Sequence, residues 1–198
     1  MSKIVIDIET KNTFADVGGK EHLKKLDVSV TCVYSYDTDT YVCFDEHHME
    51  GLAEYLQKAR LIIGFSINRF DIPVLEKYMP FNLTAIPRLD LLEEVELATG
   101  GRISLNLLAK HNLGVQKTHH GLEAITLYKE GNLKELAEYC TNDVKITKEV
   151  YEYGLKHGKI FFVSNRDYQT HEVPVNWGNA MKEQKEKKAE NAFPTSLF

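Results

Sequence analysis

The stretch IVIDIET, residues 4–10, joins an apolar strand pattern to two acids. Its isoleucines and valine predict a buried β-strand, with Asp7 and Glu9 at the end of that strand. Because side chains in a strand alternate between faces, Asp7 and Glu9 point the same way. Two carboxylates this close repel each other, and burying one without a partner is costly. Two interpretations stay open at this point: a solvated strand end, or a pair of acids that holds a cation.

The composition is that of an ordinary globular protein. The chain has 198 residues, of which 43% are hydrophobic and 27% charged, enough for one domain with a sizeable core. No apolar run reaches the roughly 18–20 residues that span a bilayer. The first Lys leads directly into a strand and not into a signal peptide. We therefore expect a cytoplasmic protein with no membrane partner.

The net charge and the cysteines narrow the function classes. A formal net charge of −5 argues against a nucleic-acid coat or a membrane-surface binder. It leaves a nuclease open, because a bound metal reverses the local field of the acids that hold it. None of Cys32, Cys43 and Cys140 forms a C-x-x-C pair, which disfavours a zinc ribbon. Cys32 and Cys43 could face each other across a hairpin, but we expect small core residues in a reducing cytosol, not a disulfide.

The hydrophobic patterns along the chain predict an α/β fold. The predicted elements are strands at 2–8, 30–36, 40–45 and 61–65, a short strand or extended segment at 86–92, and helices at 49–59 and 72–79. A mostly helical region to about 158 and a further strand or packed segment at 160–164 follow. The first three strands form a meander, and the helix at 49–59 makes a crossover to a parallel strand. Asn132 and Glu135 have the spacing of a capping box at the start of the last helix. We predict one domain over residues 1–175 and a charged tail with an apolar end over 176–198.

Two further acids lie within or next to predicted core elements. Asp71 lies in FDIPVL, between an apolar strand and a helix, and Asp143 lies in YCTND, within the last helix. Tyr139 precedes Asp143 by four residues, so both project from one face of that helix. Each has an ordinary interpretation when taken alone. Asp71 suits a helix N-cap, Asp143 a surface acid, and Tyr139 a partly buried tyrosine.

Taken together, the three motifs resemble those of the DEDD superfamily of 3′–5′ exonucleases. DIET (7–10), FDIPVL (70–75) and YCTND (139–143) stand in the order and spacing of its first, second and third motifs. The second is in the style of B-family polymerase proofreading domains and of predicted ribonuclease-H-like exonucleases. The third, Tyr-x-x-x-Asp, is the tyrosine-type variant. The resemblance covers roughly residues 1–160 and implies a ribonuclease-H-like fold, a mixed five-stranded sheet flanked by helices.

The resemblance also implies a catalytic site. Asp7, Glu9, Asp71 and Asp143 would hold two Mg²⁺ or Mn²⁺ ions, which suit hard oxygen ligands and would offset the repulsion within IVIDIET. Tyr139 would orient the attacking water, since a tyrosine with a pKa near 10 is a poor base at pH 7. The implied partner is a nucleic acid with a free 3′ end.

Four more residues are candidates for substrate binding. Thr10 and Phe14 follow the metal strand, and Phe14 is suited to stack on a base. Related sequences often carry Asn where this chain has Ser66, with Asn68 two positions later. The shorter serine puts substrate affinity in question more than metal binding.

Two rival functions are a structure-specific endonuclease and a weakly active nucleic-acid-binding accessory module of a helicase or polymerase. Ribonuclease-H-like folds host more than one function, while the tyrosine-type motif favours the exonuclease and the presence of all four acids argues against the binding module. The sequence does not distinguish DNA from RNA, because no residue can be assigned to the sugar 2′-position.

The end of the tail, AFPTSLF, raises a separate hypothesis. Leu197 and Phe198 resemble the end of the pentapeptide by which bacterial replication proteins bind the sliding clamp. The Gln that opens that peptide is absent, and Pro194 stands in its place. The alternative is a frayed or loosely packed terminus.

Overall fold

The computed structural model describes residues 2–115, 121–164 and 167–179. Its strands are β1 (Lys3–Thr10), β2 (Val28–Ser35), β3 (Thr40–Asp45), β4 (Leu61–Gly64), β5 (Arg88–Asp90), β6 (Lys159–Val163) and β7 (Thr170–Pro174). Its α-helices are α1 (Met49–Lys58), α2 (Asp71–Leu75), α3 (Leu91–Thr99), α4 (Leu105–Leu113), α5 (Gly121–Lys129) and α6 (Leu133–His157). Short 3₁₀ turns occupy Lys20–Lys25, Glu76–Tyr78, Leu83–Ala85 and Trp177–Asn179.

The predicted mixed five-stranded sheet is confirmed. Its strand order is β3-β2-β1-β4-β5. The first three strands form the antiparallel meander, and β4 and β5 lie parallel to β1 on its other side. A separate antiparallel hairpin, β6–β7, follows α6. The predicted strand at 160–164 is therefore half of a hairpin outside the main sheet.

The central strand β1 divides the interior into two cores. Ile4, Ile6 and Ile8 enter the core shared with α1 and α2, whereas Val5 enters the core beneath α3–α6. Strand alternation then puts Asp7 and Glu9 on the face of Val5, the face that α6 covers. The predicted strand 2–8 continues to Thr10, because β2 pairs with β1 from Ile4 to Thr10.

The expectation of two unlinked core cysteines on the meander is wrong. The register of β2 and β3 sets Cys32 directly opposite Cys43, with their Cα atoms 4.1 Å apart, and their sulfurs form a disulfide. Directly opposed positions of an antiparallel pair bring side chains close enough for this bond. Cys140 is a buried thiol on α6.

The predicted capping box at the start of α6 does not form. The Asn132 side chain donates to Glu130, 3.2 Å away, instead of capping the helix. Tertiary burial fixes α6 instead, through a stripe of buried side chains: Leu136, Cys140, Val144, Thr147, Val150 and Tyr151. The helix is therefore stabilised by its packing on the sheet.

The predicted tail is described for its first few residues. Trp177 is buried against α6, while Leu197 and Phe198, the residues of the clamp hypothesis, lie outside the described residues. Among the helices of the described ranges, none has the length and apolarity to cross a membrane.

Candidate active site

The acids of IVIDIET lie where β1 outruns its parallel neighbour. β4 pairs with β1 through Val5 and goes no further, so beyond that point one edge of β1 is open to other partners. Asp7 and Glu9 stand on this stretch and point toward α6. The end of a strand that is paired on one side and open on the other thus presents two carboxylates to a helix.

The helix α6 brings Tyr139 and Asp143 to the same place. Both belong to the buried face of the helix, one turn apart, and Asp143 is 5% exposed. The apolar stripe of α6 fixes this orientation, because residues three and four apart share a face. An acid that the sequence alone allowed at the surface is therefore aimed at the sheet.

Three of the four predicted acids come together. Carboxylate oxygens of Asp7, Glu9 and Asp143 all lie within 4.8 Å of one another. Three negative charges at this spacing repel, and Asp143 is buried, so the arrangement favours a cation between them. The donor set consists of hard oxygens, which fit Mg²⁺ or Mn²⁺.

A thiol lies directly beneath this cluster. Cys140 donates to the backbone oxygen of Asp7 at 3.4 Å, and its sulfur lies 3.8 Å from the Asp7 carboxylate. Burial raises the pKa of the Cys140 thiol well above its usual value, and the neighbouring acids raise it further. Burial and the nearby acids therefore disfavour the thiolate form of Cys140 in the absence of a metal.

Asp71 approaches from the open edge of β1. It is 2% exposed, and its carboxyl accepts from the backbone N–H of Ile8, the residue between Asp7 and Glu9, at 3.2 Å. Phe70, and not Asp71, holds the N-cap position of α2, so the helix-cap alternative is wrong. Burial raises the pKa of Asp71 to about 8. Asp71 is thus next to the three-acid cluster but outside the group within 4.8 Å.

Asp90 holds the loop that carries Asp71. Its carboxylate accepts from the backbone N–H groups of Ser66 at 2.8 Å, Asn68 at 2.9 Å and Leu92 at 3.0 Å. It therefore anchors the loop after β4 and caps α3 with one side chain. Asp90 also raises the pKa of Asp71 through charge repulsion, a smaller cause than burial.

Tyr139 is surrounded by carboxylates. Burial is the first cause that raises its pKa, and charge repulsion from the cluster adds to it. The contributing acids are Glu9, Asp143, Asp7 and Glu123. The phenol therefore stays protonated at neutral pH and can act as a hydrogen-bond donor. Glu123, on α5, was missed by sequence reasoning, because nothing in its local pattern links it to the acid motifs.

The four substrate-binding candidates already have protein contacts. Thr10 donates to the backbone oxygen of Asn12, and Phe14 packs edge-on against Phe70 at 5.9 Å. The side chain of Asn68 accepts from Arg88 at 2.7 Å and donates to Glu93 at 2.6 Å.

Ser66 sits at a left-handed φ of 68°, a conformation that Asn adopts more readily. Ser66 and Asn68 thus shape the loop before Asp71. Substrate contact by the four candidates stays a prediction.

A cleft beside the acids was not foreseen. It has a volume of about 440 Å³ and is lined by Asp7, Phe65, Leu92, Arg102, Ile103, Ser104, Leu105, Asn106 and Asp143. The segment 102–106 carries no motif, and the chain path alone brings it to Asp7 and Asp143. The cleft offers apolar walls and one guanidinium next to the acid cluster.

Comparison with known proteins gives a family and a fold. A model of the RNase_H superfamily matches residues 4–155. Among solved structures, the family B DNA polymerase from the hyperthermophilic archaeon Pyrobaculum calidifontis is 17% identical, with a TM-score of 0.61. The match covers 78% of this chain and 24% of the polymerase chain, and at this identity the likeness establishes the fold alone. No curated protein matches the chain.

Proposed function

The chain belongs to the RNase_H superfamily, whose fold is typical of nucleases, and from this premise we propose that it is a metal-dependent 3′–5′ exonuclease of the tyrosine type. The observation that carries the proposal is the group of three carboxylates within 4.8 Å, beside a protonated Tyr139 and an open cleft. The polarity rests on the resemblance of the three motifs. The substrate is DNA or RNA with a free 3′ end.

The acids divide the work of holding the cations. Asp7, Glu9 and Asp143 would bind them directly, and Asp71 would join from the open edge of β1 after losing its proton. Two bound Mg²⁺ or Mn²⁺ ions supply an activated water and stabilise the leaving 3′-oxygen. Asp90 keeps the Asp71 loop in place through two hydrogen bonds, which it accepts from the backbone N–H groups of Ser66 and Asn68.

Tyr139 and the cleft orient the reactants. The raised pKa of Tyr139 suits a donor that positions the water and does not suit a base. The apolar walls of the cleft, Phe65 and Leu92 among them, suit a nucleobase. Arg102 suits a phosphate at the rim.

The experiment compares label positions. Single-stranded DNA and RNA, each with a 3′ or a 5′ label, are incubated with the protein and Mg²⁺. A 3′–5′ exonuclease releases labelled mononucleotides from the 3′ label at once and shortens the 5′-labelled strand stepwise. A circular single strand should survive. Its cleavage would contradict the exonuclease proposal and support an endonuclease. Tight binding of every strand without hydrolysis would favour the accessory module.

The matched variants are both on α6. Asp143→Asn removes a charge from the cluster and should lower the rate by at least about a thousand-fold, since metal-held transition-state stabilisation amounts to several kcal/mol. Glu138→Gln removes an exposed acid of the same helix and should leave the rate unchanged. Near-normal turnover by Asp143→Asn would refute the site.

A further inference from the structure

A second groove runs alongside the β6–β7 hairpin. It has a volume of about 550 Å³ and separates the hairpin from the end of α3 and the loop into α4. The lining residues used below are Ala98, Arg102, Ile103, Asp167, His171 and Glu172. The hairpin follows residue 155, so it lies beyond the part of the chain that the family model matches.

The groove adjoins the cleft at the acids. Arg102 and Ile103 line both cavities, so a chain that leaves Asp7 and Asp143 past Arg102 enters the groove next. Each cavity has the size of a small-ligand site. The two in series suit a few nucleotides of one strand.

The hairpin wall of the groove is held firmly. The Asn112 side chain on α4 accepts from the Phe161 N–H at 2.7 Å and donates to the Phe161 oxygen at 2.7 Å. The rings of Phe162 and His171 stack at 5.3 Å with 16° between their planes. A wall fixed in this way costs little further ordering when a ligand binds.

The charges along the groove suit a phosphodiester chain. Glu172 pairs with Lys159 at 2.8 Å, which offsets its repulsion of a phosphate, and Asp167 lies 2.9 Å from a ring nitrogen of His171. Arg102 is 66% exposed at the passage between the cavities, where it also pairs with Glu96 at 3.3 Å. An exposed guanidinium at a passage is placed to contact a passing phosphate.

We propose that the groove binds the single strand on the 5′ side of the bond that is cut, so that the hairpin extends the substrate site by a few nucleotides. The inference rests on the proposed function. It names a substrate class for the same site, a single-stranded 3′ end, and gives the hairpin a part in substrate binding.

The test compares a short and a long substrate. The p-nitrophenyl ester of thymidine 5′-phosphate reaches the acid cluster alone, whereas a single-stranded oligonucleotide of about twelve residues also fills the groove. Ala98→Glu adds a charge at an exposed position in the groove wall. It should lower the ratio of kcat/KM for the oligonucleotide to that for the ester about ten-fold, through KM.

The matched control is Leu97→Glu. Leu97 is 83% exposed on the same helix and does not line the groove, so the same charge one residue away should leave the ratio unchanged. His171→Ala, checked for folding by its melting temperature, should lower the ratio as Ala98→Glu does. An unchanged ratio in both groove variants, or an equal fall in Leu97→Glu, overturns the inference.

Binding without metal separates the two proposals. A 5′-dye-labelled oligonucleotide is titrated in EDTA, and its anisotropy gives Kd. Loss of affinity in Ala98→Glu together with no hydrolysis by the unaltered protein would keep the groove and remove the exonuclease. Hydrolysis by the unaltered protein, together with an equal Kd for all variants, would keep the exonuclease and overturn the groove.

Discussion

Asp71 is a carboxyl group that burial would keep neutral and that a metal would charge. The carboxyl is buried beside the open edge of β1, where it accepts from the Ile8 N–H, and burial raises its pKa to about 8. A buried acid with a raised pKa next to other acids is typical of functional sites. Asp71 is thus a candidate metal ligand that is uncharged in metal-free solution.

The stability of the metal-free protein should fall as the pH rises from about 4 to about 8. In the unfolded chain Asp71 has a pKa near 3.9, so within this window the folded state holds a proton that the unfolded state has lost. The contribution of Asp71 to the free energy of unfolding is fully present below its pKa in the unfolded chain. It is lost as the pH rises through its pKa in the folded protein, by up to about 1.4 kcal/mol per pH unit. Thermal melts in EDTA across this range measure the slope.

Asp71→Asn should abolish the part of the pH dependence of stability that Asp71 causes. The control Asp37→Asn replaces an exposed acid in a turn and should leave the pH dependence unchanged. A slope of the same size in Asp71→Asn would mean that the acid cluster alone produces the pH dependence.

Tyr139→Phe should slow hydrolysis by roughly ten- to a thousand-fold, between the effects of a modest hydrogen bond and a full catalytic donor. The ring keeps its packing and loses the hydroxyl alone. Single-turnover rates in Mg²⁺ measure the loss, with Tyr153→Phe on the same helix as the control. Equal rates for the three proteins would assign Tyr139 a structural role.

At the scale of elements, periodicity predicts what local sequence can determine. The β1–β3 meander, α1 and the buried face of α6 follow from spacing. The resemblance of the three motifs, and not the spacing, predicted that Asp7, Glu9 and Asp143 come together. The capping box at Asn132 failed, because a competing donor–acceptor pair and helix burial decided the helix start.

Long-range placement could not be read from the sequence in the same way. The cleft segment 102–106 shows no periodic relation to Asp7, and the disulfide depends on the register between β2 and β3. The resemblance predicted Asp71 as a member of the site. It did not predict that Asp71 contacts β1 through a hydrogen bond from the Ile8 N–H.

Gly154→Ala should displace the segment that follows the β6–β7 hairpin. A Cβ atom at Gly154 would collide with the ring of Trp177, which is 2% exposed. The ring would have to leave α6, at a cost of about 1–3 kcal/mol of unfolding free energy. Trp177 is the single tryptophan of the sequence, so its fluorescence emission should shift to the red.

Lys156→Ala, at an exposed position of the same helix, should leave the emission unchanged. If the Gly154→Ala protein kept a blue emission and its melting temperature, Trp177 would pack elsewhere.

At the scale of the whole molecule, the acids join distant parts of the chain. Asp7 and Glu9 come from the first strand, Asp71 from the start of α2, and Asp143 from the last α-helix of the described residues. Each element reaches the site through its own core contacts, so mutual repulsion of the acids opposes the same packing that creates the cluster. A cation that relieves this repulsion should tighten the entire fold.

Mg²⁺ or Mn²⁺ should therefore raise the melting temperature in a saturable way. At a metal concentration of a hundred times Kd, the free energy of unfolding should rise by about 2.7 kcal/mol. Asp143→Asn should melt higher than the unaltered protein in EDTA and gain less from the metal. Differential scanning fluorimetry at matched ionic strength measures both. An equal rise with KCl would reduce the effect to general screening.

The placement of Asp143 on α6 also sets a time at which the cluster can first exist. A ribosome makes the chain from its N-terminus, so β1 and the meander emerge while Asp143 and Tyr139 are still unmade. During that interval Asp7 and Glu9 have no helix above them and no third carboxylate. The proposed hydrolysis therefore cannot begin on a nascent chain, and the messenger that encodes the protein is out of its reach until α6 has left the ribosome and docked.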